Sequence, residues 1–309
     1  MLQFDLNILI LQTLKKFKLP VYFYALTAML FWGMSFIWTS QLLIHFQPVT
    51  VIFIRLLISC VFLFLLLILT GRFERIRREH LLLLLGSAVF NPLLYFLGEN
   101  FGIKYTSATI SSVIIATIPV FSPVIAWLTF REKISRLNIL GIFISFSGVS
   151  IMLLTRDLSL TGEGKGVLLL FGAVFSSLIF SVFLKKLTQI YSPLTLVAWQ
   201  NLIGALLFLP LFLVFERDRL REISLTPQII SSFLFLSIFA SSLAFVFFAK
   251  TVKEIGISKA NIYSNLIPVF TAFFSYFLLS EAFTLQKAAG IFLVIGGVYL
   301  SERNPLSDI

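Results

Sequence analysis

Cysteine and histidine are nearly missing from this 309-residue chain: Cys60 stands alone, and His45 and His80 are the two histidines. A disulfide framework and a zinc site of the usual His/Cys kind are thereby excluded. Charge is also thin, since Asp, Glu, Lys and Arg make up 12% of the sequence, about half the ~25% of soluble domains. No phosphate loop of the form G-x-x-x-x-G-K-[ST] occurs, because Gly162-Glu163-Gly164-Lys165-Gly166 lacks both the spacing and the hydroxyl. Neither H-E-x-x-H nor G-x-S-x-G is present, so common hydrolase chemistry has no anchor. No catalytic residue and no cofactor is expected.

What is abundant is apolar. The hydrophobic set reaches 59%, with 36 Phe, and mean hydropathy is +1.01. A water-soluble globule of this length cannot bury so much apolar surface, so the solvent must be lipid. The net charge of +10 then reads as loop topology rather than nucleic-acid binding. Loops between the apolar runs are too short to fold as a separate domain.

A bilayer core needs roughly 20 apolar residues per helix. By that measure ten spans are expected: Val21–Ile44, Pro48–Thr70, Leu81–Ile103, Thr106–Phe130, Leu137–Thr155, Gly166–Leu187, Pro193–Phe215, Pro227–Lys250, Ile257–Ser280 and Leu285–Ser301. They must be helices, because hydrocarbon leaves no backbone polar group a partner outside its own segment. Residues 1–20 precede the first span, and an apolar stretch followed by Lys15, Lys16 and Lys18 reads as a cytoplasmic or interfacial segment. With the N-terminus inside, 16 Lys and Arg fall on inner segments and 7 on outer ones. That asymmetry puts both termini in the cytoplasm and the protein in the inner, plasma membrane.

The chain repeats itself. Shifted by 149 positions, Ile118-Pro119-Val120-Phe121 matches Ile267-Pro268-Val269-Phe270, Glu132 meets Glu281, Gly141-Ile142-Phe143 meets Gly290-Ile291-Phe292, and Gly148-Val149 meets Gly297-Val298. A looser shift of 145 pairs Pro48 with Pro193 and sets Arg55 opposite Gln200. Two repeats are expected, 21–155 and 166–301, joined by a loop at 156–165 and followed by a tail at 302–309. Five spans per repeat would turn the second copy upside down. Such inverted repeats are a mark of secondary transporters, with the substrate site near the midplane between the halves.

These residues resemble a known family. Phe31-Trp32-Gly33, Arg55, and the Pro119…Glu132 and Pro268…Glu281 blocks are similar to the paired EamA domains of the drug/metabolite transporter superfamily, over about residues 21–301. The resemblance implies a basket-shaped carrier with a central cavity that moves amino acids, amines or other small metabolites, commonly outward. Two departures stand out: Leu279-Ser280-Glu281 where Leu-Gly-Glu is frequent, and Glu99 at membrane depth.

The expected fold is therefore all-α and integral to the membrane, ten helices in two inverted five-helix repeats around a cavity. The expected function is a small-molecule secondary transporter, not an enzyme, working by alternating access. An alternative is an exchanger or flippase for a sugar-phosphate or lipid-linked substrate; a non-transporting scaffold is a further one. Besides the substrate and the bilayer, protons and a second copy of the chain are the partners left open.

Ionisable groups inside a span are candidates for function by default, and here they are Arg55 and Glu99. Similar depths let them pair, whether to tie two helices or to handle substrate or protons. Polar stripes at helical spacing add Asn91 and Tyr95 on the third span, Trp32 with Ser35 and Thr39 on the first, Gln200 beside Trp199 and Asn201 on the seventh, and Asn261, Ser264 and Asn265 on the ninth. Trp32, Trp38, Trp199, Tyr95 and Tyr263 are candidates for an aromatic wall. Pro119 and Pro268 fall mid-span at matching places, where each should kink its helix. Glu132 and Glu281 read as solvated helix-end carboxylates, and Gly141, Ser145, Gly148, Gly290, Gly296 and Gly297 as close-packing positions.

Overall fold

The computed structural model describes residues 19–133, 135–153, 163–218, 225–278 and 285–302, and all regular structure among them is helical. The expectations for the N-terminal segment, the connecting loop and Glu281 fall outside these residues, apart from short stretches at their edges. In chain order the helices are α1 (Leu19–His45), α2 (Pro48–Leu69), α3 (Arg78–Tyr105) and α4 (Ala108–Phe130). Then come α5 (Arg136–Leu153), α6 (Glu163–Thr188), α7 (Pro193–Phe215) and α8 (Pro227–Ile255). Last are α9, built from Ile257–Ile262, Tyr263–Asn265 and Leu266–Leu278, and α10 (Leu285–Glu302).

Seven of these, α1–α4 and α6–α8, are long and apolar enough to cross a membrane. Helices α5 and α10 are 18 residues each and hold shorter apolar stretches among the described residues, Arg136–Gly148 and Ala288–Leu300, and α9 is interrupted at Tyr263–Asn265. Polarity is inverted relative to a soluble protein: Leu82 is 83% exposed and Phe292 80%, whereas Arg55 is 1% exposed. Large apolar side chains pointing outward around a buried guanidinium define a multi-pass membrane protein.

Helix starts follow local chemistry. Proline opens α2, α7 and α8, where its missing N–H costs nothing. Ser107, Ser192 and Thr226 cap α4, α7 and α8 by accepting from Ile110, Thr195 and Ile229 backbone N–H groups. Gln47 before α2 and Gly256 before α9, by contrast, make no side-chain cap bond. Glutamates from distant helices cap these two starts. Glu216, just past α7, accepts from Val49 N at 3.3 Å, Thr50 N at 2.6 Å and Thr50 Oγ1 at 2.7 Å. Glu132, just past α4, accepts from Ile257 N at 3.0 Å, Ser258 N at 3.2 Å and Ser258 Oγ at 3.1 Å. This corrects the reading of Glu132 as a solvated carboxylate: the orphan N–H groups of α9 outcompete water for it.

In packing, α2 lies on α7, α3 on α6, α5 on α10, and α1 against α8 and α9. Lys104 at the end of α3 bonds Gln47 at the start of α2. Glu74, beyond α2, accepts from Ser192 N at the start of α7 (3.2 Å), and Lys185 near the end of α6 donates to Val252 O near the end of α8 (3.1 Å). One rim of the bundle thus gathers the starts of α2 and α4 with the ends of α3 and α7. The opposite rim gathers the ends of α2, α4, α6 and α8 with the starts of α7 and α9.

Four helices are irregular at bilayer depth. Helix α4 breaks between Ile115 and Ile118, with Pro119 in the first turn of its second half, and α9 tightens at Tyr263–Asn265 just before Pro268. Helix α3 kinks within Val89–Leu94, and α8 widens to a π turn over Leu236–Leu243. In α3 the cause is local: Asn91 leaves helical geometry (φ −147°, ψ 116°) ahead of Pro92.

The α5–α10 seam depends on missing side chains. A Cβ on Gly148 would lie 2.6 Å from Gly290 O, and one on Gly297 would lie 2.5 Å from Gly141 O. Gly148→Val should therefore force the two helices apart at about 1–3 kcal/mol, seen as a lower melting temperature of the detergent-solubilised protein. Gly172→Ala, where no heavy atom lies within 4 Å, should leave that temperature nearly unchanged.

Candidate functional site

The irregular turns of α3 and α8 organise the interior, because side chains of other helices bond to carbonyls within them. Trp32 Nε1 on α1 donates to Ala240 O (3.2 Å), and Asn201 Nδ2 on α7 donates to Ser241 O (2.9 Å) and to Ser59 Oγ (2.6 Å). In α3 the corresponding carbonyl, Phe90 O, accepts from Ser176 Oγ of α6 at 2.6 Å. Ser59 and Ser242 hydroxyls share a bond of 2.5 Å.

Around these bonds sits a buried charge pair. Arg55 Nε donates to Ser241 Oγ at 2.7 Å, and the guanidinium carbon lies 4.2 Å from the centre of the Phe96 ring. Arg55 Nη1 is 3.7 Å from Glu99 Oε2, too long for a hydrogen bond, and it has no hydrogen-bond partner. Glu99 is held instead by Tyr95, whose Oη donates to Oε1 at 2.9 Å. The pair is therefore close but loose, with one guanidinium nitrogen left available.

Tyr95 also lines the neighbouring cavity. That cavity, about 30 Å³, is walled by Trp32, Tyr95, Phe180, Phe245 and Phe248, with Asn91, Ser177, Asn261 and Ser264 as polar groups. Ile115 and Ile118, at the break in α4, and Ile267, beside the break in α9, close it. The Trp32 ring meets Phe245 and Phe248 at 5.0 and 5.1 Å between centroids. Asn261 Nδ2 is buried without a hydrogen-bond partner. The volume holds about two waters, far less than a metabolite.

Of the residues singled out in the sequence, the structure gathers Trp32, Asn91, Tyr95, Asn261 and Ser264 around this cavity and Arg55 and Glu99 directly behind Tyr95. Others lie elsewhere. Gln200 donates to Ser87 Oγ at 2.5 Å, and Asn265 donates to Ser145 Oγ, so each joins two helices. Trp38 packs on Phe235, Trp199 on Phe64 and Tyr263 on Tyr22, which leaves Trp32 and Tyr95 as the members of the expected aromatic wall that reach the cavity. Pro119 and Pro268 sit beside the helix breaks rather than in the lining. Sequence reasoning missed Ser177, Phe180, Phe245, Phe248 and Ser241. The shift of 145 that pairs Pro48 with Pro193 also sets Trp32 opposite Ser177, which could have exposed that serine; the phenylalanines are hidden among 36.

The protein thus carries polar groups and a charge pair at the centre of a multi-pass helical bundle. Its resemblance to known proteins fixes the family. The chain belongs to the EamA-like transporter family, which matches residues 19–154 and 164–303. It is 27% identical over 273 residues to an uncharacterized transporter of Archaeoglobus fulgidus, covering 88% of this chain and 95% of that one. It is also 27% identical over 294 residues to a probable amino-acid metabolite efflux pump of Salmonella typhimurium, covering 90% and 93%. A solved crystal structure shares the fold with a TM-score of 0.75 at 15% identity, over 91% of this chain and 97% of that chain.

Removing one member of a buried pair strands the other, at roughly 3–5 kcal/mol. Arg55→Met alone should therefore destabilise the protein by about that amount, and Arg55→Met with Glu99→Gln should recover much of the loss. A thermal-melt double-mutant cycle in detergent measures both.

Proposed function

We propose that the chain is a secondary carrier of ten spans in two inverted five-helix repeats, exporting a small metabolite across the inner membrane by alternating access. The observation that carries this reading is the place of the cavity. It lies where two interrupted helices, α4 and α9, meet a kinked one, α3, and a widened one, α8, and these are the fourth and third helices of each matched segment. Interrupted helices at matching positions are the best sequence pointer to a carrier's site.

Packing supports the inversion. Exchanging the two segments turns the α1–α8 contact into α6–α3, turns α1–α9 into α6–α4, and leaves α2–α7, α4–α9 and α5–α10 in place; all of these contacts are present. Gly148 against Gly290 and Gly297 against Gly141 are likewise the same contact under the shift of 149. Helix α6 begins near Tyr105 and Thr106 at the end of α3, the rim opposite the start of α3, which matches a second copy entering from the other side. The repeats then span 21–155 and 166–301. The rim that gathers Arg75, Arg78, Lys133, Lys185 and Lys259 becomes the cytoplasmic one, with both termini on that side.

In this reading the structure is an occluded state, because a 30 Å³ cavity admits no metabolite. Trp32, Asn91, Tyr95, Asn261 and Ser264 contact the substrate, and Asn261 Nδ2 offers it a donor. Glu99 exchanges protons through Tyr95, with Arg55 holding its charge. Small amino-acid metabolites are the first class to try, in line with the name of the Salmonella relative. The test is the purified protein in liposomes, with counterflow of a metabolite panel followed with and without a pH gradient. We expect at least one compound to exchange, and Glu99→Gln to remove the response to the gradient while exchange persists. Counterflow of no compound would sink the carrier reading; an undiminished gradient response in Glu99→Gln would sink only the role of Glu99.

A further inference from the structure

We infer that Glu132 and Glu216 are positioning residues for transport: paired latches, each holding one mouth of the central cavity shut. The inference rests on the carrier reading and adds to it which residues gate which mouth. The two carboxylates make the same three-point contact. Each accepts two consecutive backbone N–H groups and the hydroxyl of the second residue, Ile257 and Ser258 for Glu132, Val49 and Thr50 for Glu216. Each comes from the end of a helix in one matched segment and grips the first turn of a helix in the other. They sit on opposite rims, because α4 starts on the rim where α2 starts and ends on the rim where α9 starts.

Local sequence makes these grips necessary. Helices α4, α7 and α8 carry their own Ser or Thr cap, whereas α2 and α9 begin at Gln47 and Gly256 with none. Separating Glu132 from α9, or Glu216 from α2, therefore exposes uncapped N–H groups together with a bare carboxylate. Gly256 adds a steric reason: its φ is +86°, and a Cβ there would lie 2.8 Å from Glu132 Oε1. On that rim a polar vestibule of about 340 Å³ lies directly against the Glu132 latch, bounded by Gly256, Ser258, Lys133, Lys185 and Lys259. With both latches closed, the central cavity holds only a few waters' volume. In transport one must release while the other holds.

The experiment uses the full chain in liposomes of known orientation. Cys60, the sole cysteine, is replaced by Ser, and Ser177→Cys places a reporter in the cavity wall. A membrane-impermeant maleimide is added from either side. Glu132→Ala should raise labelling from the α9-start side about 5-fold or more and leave the other side unchanged. Glu216→Ala should do the reverse. Ser258→Ala and Thr50→Val, which each remove one donor and keep the carboxylate, should shift labelling the same way by less, and they replace the glutamate variants if those do not fold. With a parent that does label, equal changes on both sides, or no change in any folded variant, would overturn the latches while leaving transport standing. A reporter labelled from neither side in every protein, the parent included, would instead remove the carrier reading beneath them.

Discussion

No water reaches the backbone inside a bilayer, so every departure from regular helix must be answered by a side chain. That constraint arranges the interior of this protein. At the π turn of α8, Ala240 O and Ser241 O accept from Trp32 and Asn201. At the kink of α3, Phe90 O accepts from Ser176 Oγ as well as from Tyr95 N. The uncapped starts of α2 and α9 are answered by Glu216 and Glu132. Polar residues collect at these irregularities because lipid tolerates them nowhere else, and the irregularities collect where the two matched segments meet.

The charge pair follows the same logic with less slack. Arg55 cannot face lipid, and its guanidinium is shared among Ser241, the Phe96 ring and Glu99. None of these satisfies it fully, since Nη1 keeps no hydrogen bond. The pair is left loose beside the cavity, to which Tyr95 links it.

Much of the architecture was legible in the residues. Apolar runs of helical length, a duplicated Ile-Pro-Val-Phe block and two membrane-depth charges suffice to place a helical transporter-like interior, and the breaks in α4 and α9 fall where Pro119 and Pro268 mark them. The site was half legible. Asn91, Tyr95 and Asn261 stand out as polar residues in apolar helices, whereas Phe245 and Phe248 carry no signal in a chain so rich in phenylalanine. Gln200 and Asn265 show the same polarity as the cavity residues yet bond to Ser87 and Ser145, because a polar stripe specifies an inward face without specifying its neighbour.

By itself the sequence determined the solvent and the secondary structure, since both depend on composition and period along the chain. It also determined the repeat, which is a relation of the chain to itself. Only the tertiary structure decided which polar groups share a cavity and which merely join helices. It alone turned Glu132 from a helix-end carboxylate into the cap of a helix 125 residues away. Such pairings depend on where distant helix ends come to rest, and no local periodicity carries that information.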